Sequence, residues 1–419
     1  MDRTCSSIVH PEPDTLRPRK CKLPDYHLAL VTCTMSRVRK VARVLAGALA
    51  LGILLLCPPA VLGAELTLSH PLDYEVIQRA SKSKGSIQIE GNIADGGASR
   101  PLLEARIVEQ NGCGNWRRLR ARFALTKFQA VLEAPAGGWY RMELRALNGP
   151  TVLAAASVEH IGVGEVFVVA GQSNSANHGA EKQTPRTGLV TTFDGTRWQP
   201  SADPQPGASG SSGSFLPPFG DAIVERFRVP VGFLACGVGA TSVREWLPRD
   251  APFPIPPTLL GNVRQLPDGR WQSTGQLFTS LTTRMHQLGP RGFRAVLWHQ
   301  GESDANQKDP TRTLPGRLYR QYLERVIRDS RHELGWNVPW FVAQATYHVP
   351  GDEASADIRA AQRSLATDGI ALEGPDTDQL KSEYRDENGN GVHFSGNGLR
   401  EHAARWVDKV APWLELQLR

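Results

Sequence analysis

An α/β fold is predicted: a three-layer, doubly wound parallel sheet preceded by a small all-β sandwich. Three observations predict it. Up to about His160 the chain is a series of short strand-like runs separated by turn residues. Beyond Gly162 it alternates β-branched apolar runs with amphipathic helical patterns, which implies a parallel sheet covered on both faces. The first of those later runs, Val166–Val169, stops abruptly at Gly171 and hands over to Gln172, Ser173, Asn174 and Ser175. A buried strand that delivers a serine to a turn places it where ligands and catalytic side chains collect in such sheets. At 419 residues the chain suits two domains with ample apolar cores.

Residues 1–64 read as a leader. Met35 is followed by Arg37, Arg39, Lys40 and Arg43, then by an uncharged apolar run of 14 residues from Val44 to Cys57. That run is shorter than the roughly 20 residues a helix needs to cross a bilayer. Pro58 and Pro59 break it, and Ala60–Ala64 supplies small residues for cleavage. This is the layout of a secretory signal peptide over 35–64, cut near Gly63 or Ala64, and it predicts a secreted or periplasmic protein. Residues 1–34 read as an upstream extension, with Met35 the true start. The leader also dissolves the net charge of +6 as a clue. Up to Ala64 there are nine Lys/Arg against four Asp/Glu, so the rest carries a net charge of +1. No basic surface is implied, and no nucleic-acid partner. No stable membrane insertion is expected after cleavage. Four of the six cysteines (Cys5, Cys21, Cys33, Cys57) fall in the leader. Cys113 and Cys236 remain, which make neither a disulfide framework nor a zinc-spaced cluster.

Residues 65–160 are expected to form an immunoglobulin-like antiparallel sandwich. Ser86–Glu90, Ala105–Val108, Phe128–Leu132 and Trp139–Leu147 read as strands, and Gly91, Gly96-Gly97, Asn111-Gly112 and Gly137-Gly138 punctuate them. From 161 to 419 strands are expected at Val166–Val169, Val231–Cys236, Ala295–Trp298 and Trp340–Ala343. Helices are expected at Asp221–Phe227, Gln276–Gln287, Leu318–Leu334, Ala354–Ala366 and Gly398–Trp413. Gln205–Ser214 (QPGASGSSGS) reads as a Gly/Ser loop, either a flexible connection or a border of the site's mouth.

A serine hydroxyl becomes a useful nucleophile when a base takes its proton, a third group holds the base, and donors await the developing oxyanion. His393 follows the turn-forming loop Asp386–Gly391 and can reach the end of the first strand. Trp298–Asp304 (WHQGESD) comes straight off a strand expected at the sheet's centre, where Gln300 can donate to an oxyanion and Glu302 can accept from His393. The alternative, that these polar residues cap a following helix, stays open for Ser303 and Asp304.

The motifs GQSN, GATS (Gly239–Ser242) with Trp246 after it, WHQGESD and VHFS resemble, in order and spacing, the sialate O-acetylesterase and acetylxylan esterase-like branch of the SGNH hydrolases. The resemblance covers about Gly162–Trp413. It implies Ser173 as nucleophile, His393 as base, and the Ser173 amide, Gly239 and Gln300 as oxyanion hole. Many SGNH enzymes carry an Asp three residues before the histidine, where this chain has Asn390. A neutral amide cannot stabilise imidazolium by charge. The acid is therefore expected elsewhere: the resemblance of the HQGE stretch to that esterase branch implies Glu302, with Asp386 the reserve. Arg244 and His178 lie close to the motifs and are candidates for substrate contact or structural support alike.

The expected activity is removal of acetyl groups from a glycan by a serine esterase, with an acetylated glycan or other small ester as partner and no metal or organic cofactor. The rival readings are an O-acetyltransferase or non-sugar esterase using the same site, and a non-catalytic glycan-binding protein.

Overall fold

The computed structural model describes residues 64–94, 100–109, 112 and 114–419. The leader readings and Cys113 lie outside the described residues. Among these no helix is long and apolar enough to cross a membrane.

The front strands are β1 (Glu65–His70), β2 (Glu75–Gln78), β3 (Lys84–Ala94), β4 (Leu102–Val108), β5 (Arg117–Arg118), β6 (Arg122–Ala124), β7 (Lys127–Pro135), β8 (Gly137–Asn148) and β9 (Thr151–Gly171). β3 and β7 alternate buried and exposed side chains, as strands with one wet face do. Four of them form an antiparallel sheet in the order β1-β3-β7-β6. Ile87, Ile89, Phe128 and Leu132 of this sheet share one apolar cluster with Leu103, Met142, Leu144 and Ile161 of β4, β8 and β9. β9 is 21 residues long and belongs to both halves of the chain. Its first part pairs with β8 antiparallel, and its last residues, from Glu165, pair with parallel neighbours. The boundary expected at 160/161 thus falls inside one unbroken strand.

The remainder follows as β10 (Val190–Phe193), β11 (Trp198–Pro200), α1 (Leu216–Phe227), β12 (Val231–Ala235), the short β13 (Pro252–Phe253), β14 (Val263–Gln265) and β15 (Trp271–Ser273), α2 (Gln276–Gln287), β16 (Ala295–His299), α3 (Gly316–Leu334), β17 (Trp340–Gln344), α4 (Ala356–Thr367), β18 (Leu372–Asp376) and α5 (Gly396–Gln417). The central sheet runs β11-β10-β12-β9-β16-β17-β18, parallel throughout except for β11. β9 alternates Val166, Val168 and Ala170 toward one apolar cluster, with α2, α3 and α4, and Phe167 and Val169 toward another, with α1 and α5. A strand buried on both faces reads in sequence as a continuous apolar run, which is why the stretch shows no alternation. β12 and β16 flank β9 on opposite sides, and the chain crosses from one side to the other between them. The carboxyl ends of these three strands therefore open onto the crevice where the strand order reverses.

Candidate active site

Gly171 ends β9 at a φ of +127°, and a Cβ there would stand 2.0 Å from the His299 carbonyl oxygen. Only glycine fits so close to β16 in that conformation. The chain then turns through a short 3-10 segment, Ser173–Ser175. The Ser175 hydroxyl donates to the Gln172 carbonyl at 2.7 Å, which fixes the turn from within. Gln172 Oε1 accepts from Gln300 Nε2 at 3.2 Å and from the Ser303 amide at 3.0 Å, which ties the turn to the loop after β16. On the other side Asn174 Nδ2 donates to Glu302 Oε1 at 3.0 Å and to the Val392 carbonyl at 3.2 Å. Ser173 is thereby held between two anchored loops with 6% of its surface exposed.

That exposed part faces a cavity of about 530 Å³, whose walls include Ser173, His178, Ser209, Gly239, His348 and His393. The structure brings Ser173 and His393 to the same cavity from chain positions 220 residues apart. His393 stacks on His178 with ring centroids 5.4 Å apart. Burial and the neighbouring His393 hold the His178 imidazole below its ordinary pKa, which favours its neutral form.

The loop that carries His393 closes on itself. Glu387, Asn388 and Gly389 all take positive φ, reversing the chain so that Asp386 lies opposite His393. Asp386 N donates to the His393 carbonyl at 2.9 Å, and Asp386 Oδ1 accepts the His393 amide at 3.1 Å. Asp386 Oδ2 lies 3.5 Å from His393 Nδ1. A Cβ on Gly391 would sit 1.7 Å from Asp386 Oδ1, so the missing side chain makes room for the carboxylate. Arg385 holds the base of the loop, donating to the Leu380, Val392 and Thr377 carbonyls and packing over Tyr347 and Phe394. Burial pulls its pKa down to about 10.

Two residues expected in the site sit differently from their expected roles. Glu302 also lines the cavity, but its Oε1 accepts from Asn174 and lies 3.7 Å from His299 Nδ1. The carboxylate beside His393 Nδ1 is Asp386. Nor does Gln300 reach the cavity. It is fully buried, and its Nε2 lies within 3.2 Å of three acceptors: Gln172 Oε1, the Thr241 carbonyl and Asp304 Oδ2. Its two amide hydrogens are spent on the scaffold. Gly239 does line the cavity, with its amide donating to Ser209 Oγ at 2.7 Å.

Arg244 is structural. It is fully buried against Asp304 at 3.2 Å and donates to Ser242 Oγ and to the Ile255, Pro256 and Arg312 carbonyls. Asp304 completes that network by accepting from Ser242 Oγ and the Val243 amide, while Ser303 lines the cavity.

Sequence reasoning missed several cavity residues, His348 and Ser209 among them. His348 follows the end of β17, with Nδ1 2.7 Å from Asp352 Oδ2 and Nε2 2.6 Å from the Glu302 carbonyl. Inspecting every loop after a parallel strand would have found it. Ser209 lies within the Gly/Ser loop, which is an ordered wall of the cavity. Asn177 pins that loop, accepting from the Gln205 amide at 2.7 Å and donating to the Gln205 carbonyl at 2.9 Å. Among the described residues no cluster of three or more His, Cys, Asp or Glu side chains could hold a metal ion.

A carbohydrate acetylesterase from Xanthomonas citri is similar at 18% identity, over 82% of this chain and 74% of that one, with a TM-score of 0.49. A carbohydrate esterase family 2 enzyme with its carbohydrate-binding domain, from Corynascus thermopiles (Myceliophthora fergusii), is similar at 11% identity over 84% of this chain and 100% of that one, with a TM-score of 0.33. No curated protein matches the chain. The family model for carbohydrate esterases described as sialic acid-specific acetylesterases matches residues 163–411. That span is more than half of the chain and takes in the strand ends and every cavity residue named above, so the chain belongs to the sialic acid-specific acetylesterase family of carbohydrate esterases and is an ester hydrolase.

Proposed function

We propose that the protein is a secreted serine esterase that removes O-acetyl groups from a glycan through an acetyl-serine. Ser173 Oγ attacks the acetyl carbonyl while His393 takes its proton. The negative oxygen that forms is met by the Ser173 amide and by a donor on the Gly239 side of the cavity. His393 then passes the proton to the departing sugar oxygen, and the C–O bond breaks. A water molecule enters, His393 removes its proton, and the second tetrahedral adduct collapses to acetate and free Ser173. Asp386 holds the imidazole and stabilises its charged form in both halves.

The observation that carries this reading is the sharing of one cavity by Ser173 and His393, with a carboxylate behind the imidazole. A cavity of about 530 Å³ lies within the usual range of roughly 300–1,000 Å³ for small-molecule sites. Secretion belongs to the same proposal and rests on the composition of residues 35–64. So does a front β-sandwich domain over 65–160, built on the apolar cluster shared by the two groups of front strands.

The test is acetate release across a panel of O-acetylated glycans, including sialic acids, xylan and pectin, by the wild-type chain and by Ser173→Ala. Acetate from at least one glycan with the wild type, and none above background with Ser173→Ala, is the expected result. Equal release by the two proteins would overturn the serine mechanism. Tight glycan binding with no release by either would favour the binding-protein reading.

A further inference from the structure

The Gly239 amide is the obvious second donor for the oxyanion, yet it already has a partner. It donates to Ser209 Oγ at 2.7 Å. Ser209 Oγ also lies 3.1 Å from His178 Nε2. Ser209 is fixed in place by its neighbours rather than by its own loop, with its amide on the Gly237 carbonyl at 2.9 Å and its carbonyl accepting the Asn177 amide at 2.9 Å. Those two bonds tie it to the exit of β12 on one side and to the segment after Ser173 on the other. Gly239 takes part through the side chain it lacks, because a Cβ there would come 2.7 Å from His178 Nε2 and push the imidazole away from Ser209.

A hydroxyl has one hydrogen and two lone pairs. One lone pair of Ser209 Oγ takes the Gly239 N–H. When His178 carries its hydrogen on Nε2, the second lone pair takes that, and the single O–H is left to point into the cavity that Ser173 and His393 share. An oxygen that accepts two N–H bonds is a stronger donor through its own hydrogen, because chained hydrogen bonds polarise one another.

Resting on the acyl-transfer reading above, we propose that the Ser209 hydroxyl, not the Gly239 amide itself, is the second donor to the oxyanion, and that Gly239 and His178 act by polarising and aiming it. In each half-reaction the O–H of Ser209 hydrogen-bonds to the negatively charged oxygen and stays bonded to its own oxygen throughout. No proton is transferred at this residue. The cavity then meets the oxyanion with one backbone donor, at Ser173, and one side-chain donor, at Ser209.

The experiment compares p-nitrophenyl acetate turnover by the full chain with that of Ser173→Ala, Ser209→Ala, Ser209→Thr and Ser209→Val, together with inhibition by phenylboronic acid as a tetrahedral adduct at serine. Ser209→Ala is expected to lower kcat roughly 100- to 1000-fold, the usual effect of removing one oxyanion donor, with KM nearly unchanged. Ser209→Thr should restore most of the turnover and Ser209→Val should not, since those two differ only in a hydroxyl against a methyl. Phenylboronic acid should bind the Ala and Val variants more weakly in proportion to the lost kcat. If Ala or Val turns over as fast as wild type, or faster, the hydroxyl merely blocks the Gly239 amide and the proposal is wrong. Equal turnover by Thr and Val overturns it too, even where Ser209→Ala fails to fold. A wild-type chain no faster than Ser173→Ala overturns the acyl-transfer reading, and this inference with it.

Discussion

Asp386 grips His393 twice: one carboxylate oxygen accepts the His393 amide at 3.1 Å, and the other lies 3.5 Å from its Nδ1. The first contact sets where the residue sits, and the second sets which way the ring faces. A carboxylate so placed favours the Nδ1–H tautomer, leaves Nε2 free to accept a proton, and stabilises the imidazolium that results. Asp386→Asn keeps the shape and removes the charge, so it should lower kcat on the order of 1,000- to 10,000-fold, with little change in thermal stability. Glu302→Gln can still accept from Asn174 through its amide oxygen and should cost about tenfold or less, the equivalent of weakening one charged hydrogen bond. Steady-state kinetics of the two variants side by side decides the matter. A larger loss in Glu302→Gln would return the role of acid to Glu302.

Gln300 leads to a different kind of outcome. An oxyanion donor lost from the cavity would lower kcat and leave the fold alone. Gln300 instead links the Ser173 turn to Asp304 and Thr241 while its own carbonyl accepts the Tyr319 hydroxyl at 2.7 Å. Gln300→Ala removes one donor from Asp304 Oδ2, which keeps the Val243 amide, and one from Gln172 Oε1, which keeps the Ser303 amide, in a fully buried place. Each lost hydrogen bond costs about 0.5–1.5 kcal/mol. The variant should therefore show a clear fall in unfolding free energy in urea. An unchanged urea midpoint with reduced kcat would restore Gln300 as a donor at the site.

Much of the sheet was legible because its strands are buried on both faces. Val231–Ala235, Ala295–His299 and Trp340–Gln344 are short apolar runs bounded by turn residues, and each formed where expected. Three strands escaped. Val190–Phe193 and Trp198–Pro200 are only four and three residues long, and Leu372–Asp376 contains Gly374 and Pro375. This last strand lies at the edge of the sheet, where a missing N–H is tolerated, so its composition says little about pairing. In the candidate site, Ser173 and His393 were proposed from local motifs, and Asp386 only as the reserve acid, because its approach depends on three successive positive φ values and on the bare Cα of Gly391. Ser209 was hidden for a related reason. Composition describes the loop from Gln205 to Ser214 as flexible, while Asn177, nearly thirty residues earlier, holds it in place.

A last prediction concerns Glu75, far from this chemistry. It is buried at the start of β2, accepts the Leu72 amide at 2.8 Å and lies 3.4 Å from His70 Nδ1. Burial pushes its pKa up to about 7 against an ordinary 4.5, although the Leu72 amide pulls the other way. Between those two values the folded chain keeps a proton that the unfolded chain releases. Its contribution to stability is thus full below pH 4.5 and is lost as pH rises to about 7. Two buried imidazoles act in the opposite sense. His299 and His402 have lowered pKa values, so their contribution is full above 6.5 and declines as pH falls. Comparing Glu75→Gln with wild type cancels the histidines, and the glutamine oxygen can still accept from Leu72. The difference in unfolding free energy should move in favour of the variant as pH rises from 4.5 to 8, by up to about 3 kcal/mol. Urea unfolding of both proteins at pH 5 and pH 8 measures it. A difference that stays constant between the two would mean that Glu75 ionises in the folded protein as it does in the unfolded one.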